Sequence, residues 1–270
     1  MPSPHVSAAL EAAAAAAQVI RKAYRGNFTV RYKADASPVT EVDVAAERTI
    51  KETLRGRFPD HGFYGEELGR EQADAEYLWL IDPIDGTKAF VRGYPVFSVQ
   101  IGLMHRGALI AGVSCAPCWN AETAGGETLW AEQGHGAWRL RGPGSDAEAL
   151  QVSETDALDQ AILSTGNLAS LSQSSAWGRF GALIPRLHRI RGYGDFLHYH
   201  WLAAGRLDAV VESDVNILDI SALAVIVREA GGVFTDLEGH ELTLETRSVL
   251  ASVPALHAPL LEALRYRWSG

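Results

Sequence analysis

Cysteine is almost absent from this sequence, with only Cys115 and Cys118 among 270 residues. A disulfide framework is thereby excluded, and a reducing cytoplasm is the expected compartment. Positive charge is also in short supply. Lys and Arg number 24 against 33 Asp and Glu, for a formal net charge of −9. No basic stripe is left for nucleic acid or for an anionic membrane surface. Long apolar runs are missing too. The longest, Ala8 to Ile20, is Ala-rich and broken by Glu11. It has neither the basic leader of a signal peptide nor the length of a membrane span, and reads as an N-terminal helix. The chain contains no G-x-x-x-x-G-K-[ST] loop, no G-x-G-x-x-G helix start and no G-x-S-x-G elbow. P-loop, dinucleotide-binding and serine-hydrolase readings fall away with them.

What is present is ordinary globular material, 47% hydrophobic and 21% charged. The length suits one catalytic domain of two packed halves, about 1–142 and 143–270, with the polar, Gly- and Pro-containing stretch Arg141 to Ala149 as the seam. Periodicity predicts helices at Ser7 to Tyr24, Asp43 to Phe58, Ser175 to Pro185, Asp195 to Ala204 and Asp219 to Ala230. Strands are predicted at Asn27 to Lys33, Glu76 to Asp82, Val96 to Met104, Ala108 to Ser114, Ala161 to Thr165 and Leu207 to Val211, with a hairpin over Gly125 to Leu140 and a turn at Ala36, Ser37 and Pro38. The class is α/β, in mixed layers with acids gathered at strand ends. An acidic protein that handles an anionic substrate needs local positive charge, which bound cations can supply.

The sharpest motif is Asp82-Pro83-Ile84-Asp85-Gly86-Thr87. A strand delivers Asp82 at its exit, and Pro83 is expected to stop that strand from continuing. Two carboxylates converging around a tight turn are costly unless cations neutralise them. Oxygen donors without His or Cys beside them favour Mg²⁺ or Mn²⁺ over zinc. Gly86 permits close backbone approach, and the Gly86, Thr87 and Lys88 amides are expected to face a phosphate. Taken singly, Glu66-Glu67 after the apolar Phe63-Tyr64 is an ordinary solvated turn, and Asp219 an ordinary helix cap. Occurring together with the hexapeptide, they point to one pocket.

Gly65-Glu66-Glu67, the hexapeptide, and Asp219 with Glu229-Ala230-Gly231-Gly232 resemble the inositol monophosphatase-like phosphatases in order and spacing, from about Tyr32 to Phe234. The resemblance implies the layered α-β-α-β-α fold of inositol monophosphatases and fructose-bisphosphatases, a homodimer, and two or three Mg²⁺ ions. It implies that Glu66, Asp82 and the Ile84 carbonyl hold a first ion, and that Asp82, Asp85 and Asp219 hold a second. Glu66 counts among the catalytic residues, with Thr87 and Asp43 orienting the attacking water. Lys33 falls near the site, and Asp195 and Glu212 fall where the organic part of the substrate binds. Tyr193-Gly194-Asp195-Phe196 and Phe90-Val91-Arg92-Gly93 look most like the histidinol-phosphatase branch. L-Histidinol phosphate carries an ammonium and an imidazole, for which two carboxylates are sensible partners. Inositol 1-phosphate, or a related sugar or nucleotide phosphate, is the alternative. Leu218 and Ala89 depart from the usual Trp and Asn of the family.

Other signals read as structural. Cys115-Ala116-Pro117-Cys118 has redox spacing, but Trp119 to Gly125 does not continue as the helix such a site needs. His198 and His200 diverge on a helix, and Trp130 and Trp138 suit a hairpin core. A haloacid-dehalogenase phosphatase wants one residue between its acids, where this chain has two. A glycosidase would pair its carboxylates without the glycine and threonine that follow Asp85.

Overall fold

The computed structural model describes residues 2–33, 38–120, 126–142 and 144–267. Ala36 and Ser37 of the expected turn, residues 121–125 and Pro143 of the expected seam lie outside them. Two compact units are present: Met1–Ala149 with Leu218–Ile226, and Leu150–Ile217 with Val227–Gly270.

The first unit contains α1 (Pro4–Ala23), β1 (Val30–Tyr32), β2 (Pro38–Thr40), α2 (Glu41–Arg57), β3 (Gly62–Gly65), β4 (Gly69–Glu71), β5 (Tyr77–Asp85), α3 (Thr87–Val91), β6 (Ser98–His105), β7 (Ala108–Ala116), β8 (Glu127–Glu132), β9 (Ala137–Leu140) and β10 (Glu148–Leu150). The second contains β11 (Ile162–Thr165), α4 (Leu168–Gln173), α5 (Trp177–Leu183), β12 (Arg189–Arg191), α6 (Asp195–Ala203) and β13 (Ala209–Ser213). It continues with β14 (Val233–Thr235), β15 (Ser248–Ser252) and α8 (Pro254–Leu264). Helix α7 (Ile217–Glu229) gives residues 218–226 to the first unit. Mixed sheets with helices make this the α/β class that the periodicity predicted. No helix among the described residues is long and apolar enough to cross a membrane.

Capping explains where the helices begin. Ser3 accepts from the Val6 amide at 3.2 Å and Pro4 opens α1, so the helix starts before the expected Ser7. Thr40 and Asp43 form a reciprocal capping box, which starts α2 at Glu41. The buried alanines Ala8, Ala9, Ala12, Ala13, Ala16 and Ala17 let α1 lie close against α2 and β7. In the second unit the expected Ser175 to Pro185 helix ends at Leu183, and Pro185 sits in a 3₁₀ turn. The expected strand Asn27 to Lys33 shrinks to Val30–Tyr32, paired among the described residues with β2 and leaving Tyr32 exposed.

The eight-stranded sheet of the first unit runs β10-β9-β8-β7-β6-β5-β3-β4. Its central strands alternate with the period of two that a pleated strand imposes. Val99, Ile101 and Leu103 of β6 join Ala111, Val113 and Cys115 of β7 in one apolar core with α1 and α2. Each fully buried Val, Leu or Ile contributes roughly 1.5–3 kcal/mol relative to exposure. The opposite face carries Ser98, Gln100 and Gly102 of β6, with Gly102 directly across from Gly112 of β7. A Cβ on Gly102 would lie 2.4 Å from Ser221 Oγ, and one on Gly112 would lie 2.4 Å from the Ala222 carbonyl oxygen. This cross-strand glycine pair is the bed on which residues 218–226 of α7 rest.

The second unit's sheet has the order β12-β11-β13-β15-β14. Strand β11 pairs in parallel with β12 and β13, and the remaining pairings are antiparallel.

Candidate active site

Asp82 and Asp85 owe their common orientation to an irregularity in β5. Contrary to expectation, the strand does not stop at Pro83 but runs on to Asp85. Asp82 pairs with Gln100 and Asp85 with Ser98, so three steps along β5 match two along β6. That single extra residue is a β-bulge. In a regular strand, residues three apart face opposite sides, whereas the bulge turns both carboxylates to the face of Ser98 and Gln100. Pro83 is tolerated because a bulge needs no ladder donor from it. The Gln100 side-chain amide donates to Ser98 Oγ at 2.7 Å, and Ser98 Oγ reaches Asp85 Oδ2 at 3.4 Å. This is the face that α7 covers, and Asp219 lies in the first turn of α7, which starts at Ile217 rather than at Asp219.

Asp82 is the buried centre of the group. Its Oδ1 accepts from the Ile84 amide at 2.9 Å. Burial pushes its carboxyl well above the ordinary carboxylate range, and the negative charges of Glu66, Asp219 and Asp85 push it the same way. Glu66 comes from the turn after β3, where its amide donates to the Ile81 carbonyl at 3.2 Å. Lys33 Nζ lies 2.8 Å from Glu66 Oε1 and 2.7 Å from Glu67 Oε1. Burial works against the Lys33 ammonium, but the two glutamates outweigh it and raise its pKa.

Asp43 is buried at the start of α2. Its Oδ2 takes the Thr40 amide at 2.8 Å, and its Oδ1 lies 3.2 Å from Thr87 Oγ1. Burial raises its pKa, opposed by the hydrogen bonds from Thr40 and Thr87. Thr87 Oγ1 is also 2.9 Å from the Ile84 carbonyl. A hydroxyl has one proton, so it serves one of these acceptors at a time. Gly86, at φ 88°, caps α3, and a Cβ there would lie 2.7 Å from the Val96 carbonyl oxygen. Helical bonding begins with the Ala89 and Phe90 amides donating to the Gly86 carbonyl, 2.9 and 3.0 Å, so the Thr87 and Lys88 amides precede the ladder. Carboxylate and carbonyl oxygens around one buried, charge-crowded Asp are the donor chemistry that a hard divalent ion takes.

Comparison with known proteins gives this geometry a context. The model of the inositol monophosphatase family matches residues 1–269. The chain belongs to the inositol monophosphatase family. A histidinol-phosphatase from Mycobacterium tuberculosis is 38% identical over 207 residues, 77% of each chain. An inositol-1-monophosphatase from Caulobacter vibrioides is 34% identical over 268 residues, 92% of this chain and 98% of that one. Among solved structures, an extragenic suppressor protein suhB from Bartonella henselae superposes with a TM-score of 0.85 at 28% identity, covering 97% and 99% of the two chains. The fold is that of this phosphatase family.

The second unit of this inositol monophosphatase family member holds the remaining candidates. Asp195 begins α6, exposed, with a left-handed φ of 46° after Gly194 at 73°, a conformation that Asp tolerates better than most residues. Glu212 on β13 is mostly buried. Its Oε2 accepts from Tyr199 OH at 2.7 Å and lies 3.2 Å from His198 Nε2, while His198 Nδ1 lies 3.2 Å from Ser164 Oγ. His198 is thus fully buried with both ring nitrogens engaged, as a structural histidine would be. Cys115 is buried and Cys118 half-buried, both unpaired, and burial raises both thiols. That is the opposite of a reactive redox pair.

Proposed function

We propose that this inositol monophosphatase family member is a Mg²⁺-dependent phosphomonoesterase whose preferred substrate is L-histidinol phosphate. The observation that carries the phosphatase reading is the buried Asp82, crowded by the charges of Glu66, Asp85 and Asp219 and bordered by the Asp43–Thr87 pair. Glu66, Asp82 and the Ile84 carbonyl would hold one ion, and Asp82, Asp85 and Asp219 another, with Mn²⁺ an acceptable substitute. Bound there, such ions supply charge for the transferring phosphoryl group and lower the pKa of a coordinated water.

The chain's own residues do the rest. Thr87 Oγ1 can donate its one proton to Asp43, which would leave its lone pairs to accept from the attacking water, while the Ile84 carbonyl would serve as a ligand. Asp43 is poised to accept a proton relayed through this hydroxyl from the attacking water, its proton affinity raised by burial. The Gly86, Thr87 and Lys88 amides at the start of α3 would steady the phosphate oxygens, as preorganised donors aimed at developing charge. Phosphoryl transfer needs chiefly such positioning and neutralisation, without a covalent intermediate.

Histidinol phosphate is favoured by the two carboxylates of the second unit, the exposed Asp195 and the hydrogen-bonded Glu212, and by the 38% identity to a histidinol-phosphatase. Inositol 1-phosphate is the second reading, supported by the relative that aligns with 92% of the chain. The deciding experiment measures phosphate release from both esters, with Mg²⁺ and with chelator. The expected result is a higher kcat/KM on L-histidinol phosphate and no turnover in chelator. Preference for inositol 1-phosphate would transfer the assignment to it, and undiminished turnover in chelator would sink the metal-dependent reading altogether.

A further inference from the structure

Helix α2 carries three charged residues at four-residue intervals, Asp43, Glu47 and Lys51, and all three are buried. That spacing puts them on one helical face, one above the other. Asp43 already meets Thr87. One turn further, the Glu47 carboxylate accepts from the Glu67 amide at 2.7 Å and from the Leu68 amide at 3.1 Å. These are consecutive backbone donors of the turn between β3 and β4, the turn that begins with Glu66. A carboxylate held by successive amides fixes the backbone that supplies them.

One turn further again, Lys51 Nζ lies 3.2 Å from Glu47 Oε1 and 3.2 Å from Glu71 Oε1, and 3.4 Å from the Gly69 carbonyl oxygen. Lys51 thus balances the Glu47 charge and ties down the far side of the same turn. Gly65 completes the fit. A Cβ there would lie 1.8 Å from Glu47 Oε1, so the carboxylate occupies the space that any side chain at 65 would need. Neither Glu47 nor Lys51 sits among the proposed ligands, and neither faces solvent. Burying a complete ion pair in a small protein is rarely rewarded by stability alone. Its placement under this turn calls for another reason.

We infer that Glu47, charge-balanced by Lys51, is a positioning residue that fixes the Glu66 turn in the shape needed for cation binding. The inference rests on the metal reading given above. Residues that hold a ligand in place typically govern metal affinity by ~10–100-fold when removed. The test compares wild type with Glu47→Gln and with Glu47→Gln/Lys51→Met. Gln preserves the shape but offers one acceptor oxygen for two amides, and the double variant leaves no charge unpaired if the single one fails to fold.

Magnesium binding is measured directly by titration calorimetry, and phosphate release is followed against Mg²⁺ concentration. The expected outcome is a Mg²⁺ Kd weakened by ~10–100-fold in the folded variants, with kcat largely recovered at saturating Mg²⁺. A merely structural pair would lower Tm and leave the Mg²⁺ Kd alone, and that result overturns the inference. Wild type that binds no Mg²⁺ in the same calorimeter would overturn the metal reading itself. The two failures are therefore distinguishable.

Discussion

Asp82 and Asp236 both accept backbone amide protons and both sit among other ionisable groups, yet their surroundings differ in kind. Asp236 Oδ1 takes the Glu238 and His240 amides, 2.8 Å each, and Oδ2 lies 3.1 Å from His240 Nδ1. Asp236, Glu238 and His240 each place one ligand atom within 4.8 Å of the others, but His240 is 70% exposed and the group closes a turn with its own donors. Asp82 is 2% exposed and has one amide, from Ile84, set against the charges of three carboxylates. Crowding of acids is common to both. What separates them is a fully buried carboxyl crowded by like charges at Asp82, against a partly exposed turn acid at Asp236.

The comparison breaks most sharply by neutralisation. Asp82→Asn should lower kcat/KM by at least ~10³-fold, since loss of several kcal/mol of charge stabilisation costs a decade per ~1.4 kcal/mol. Asp236→Asn should leave kcat/KM unchanged, and a comparable loss there would erase the distinction. Next in size are glycines beneath each group. Gly112→Leu drives a side chain into the Ala222 carbonyl, at ~1–3 kcal/mol for overpacking and about 2–4 °C of Tm for each, and activity should fall with it because α7 carries Asp219. Gly239→Ala, at φ 88°, costs a comparable ~1–2 kcal/mol of left-handed strain, visible in Tm but with kcat/KM preserved.

The smallest effect is in pH. The Asp82 carboxyl is raised in the folded state above its unfolded value of about 3.9. Its contribution is therefore intact at low pH and is lost as pH climbs through the folded pKa. In chelator, Asp82→Asn should melt above wild type at about pH 8, with the gap closing toward about pH 5. Saturating Mg²⁺ should remove or invert that gap, because the ion stabilises only the chain that binds it. A gap that widens toward acid pH would contradict the sign.

Much of this was written in local sequence. The strand that delivers Asp82, though not its end at Asp85, the glycine before Thr87 and the helix bearing Asp219 all follow from periodicity and from residues with restricted backbones. The bulge between Asp82 and Asp85 did not, because the extra residue has meaning only against Gln100 and Ser98 on another strand. Glu47 and Lys51 were hidden for a similar reason. Charges between Ala46, Ile50 and Leu54 look like a solvated face until the turn from β3 to β4 is known to cover them. Gly102 and Gly112 fall inside two expected strands, and nothing local announces that they face each other. Helix starts moved by two or three residues because Ser3 and Thr40 cap in preference to the expected positions. The roles of Asp195 and Glu212 in substrate choice belong to the proposal and rest on chemical fit.

The glycine pair on β6 and β7 has a consequence for assembly. A hairpin formed early in synthesis offers a strip of bare backbone, and the helix that fills it is encoded far downstream, so chain entropy must be spent on a long loop before that helix seats. A growing chain therefore displays its PIDGT loop well before the last acid arrives, and catalytic competence should appear late in folding, after the sheet's hydrogen bonds are already protected from exchange.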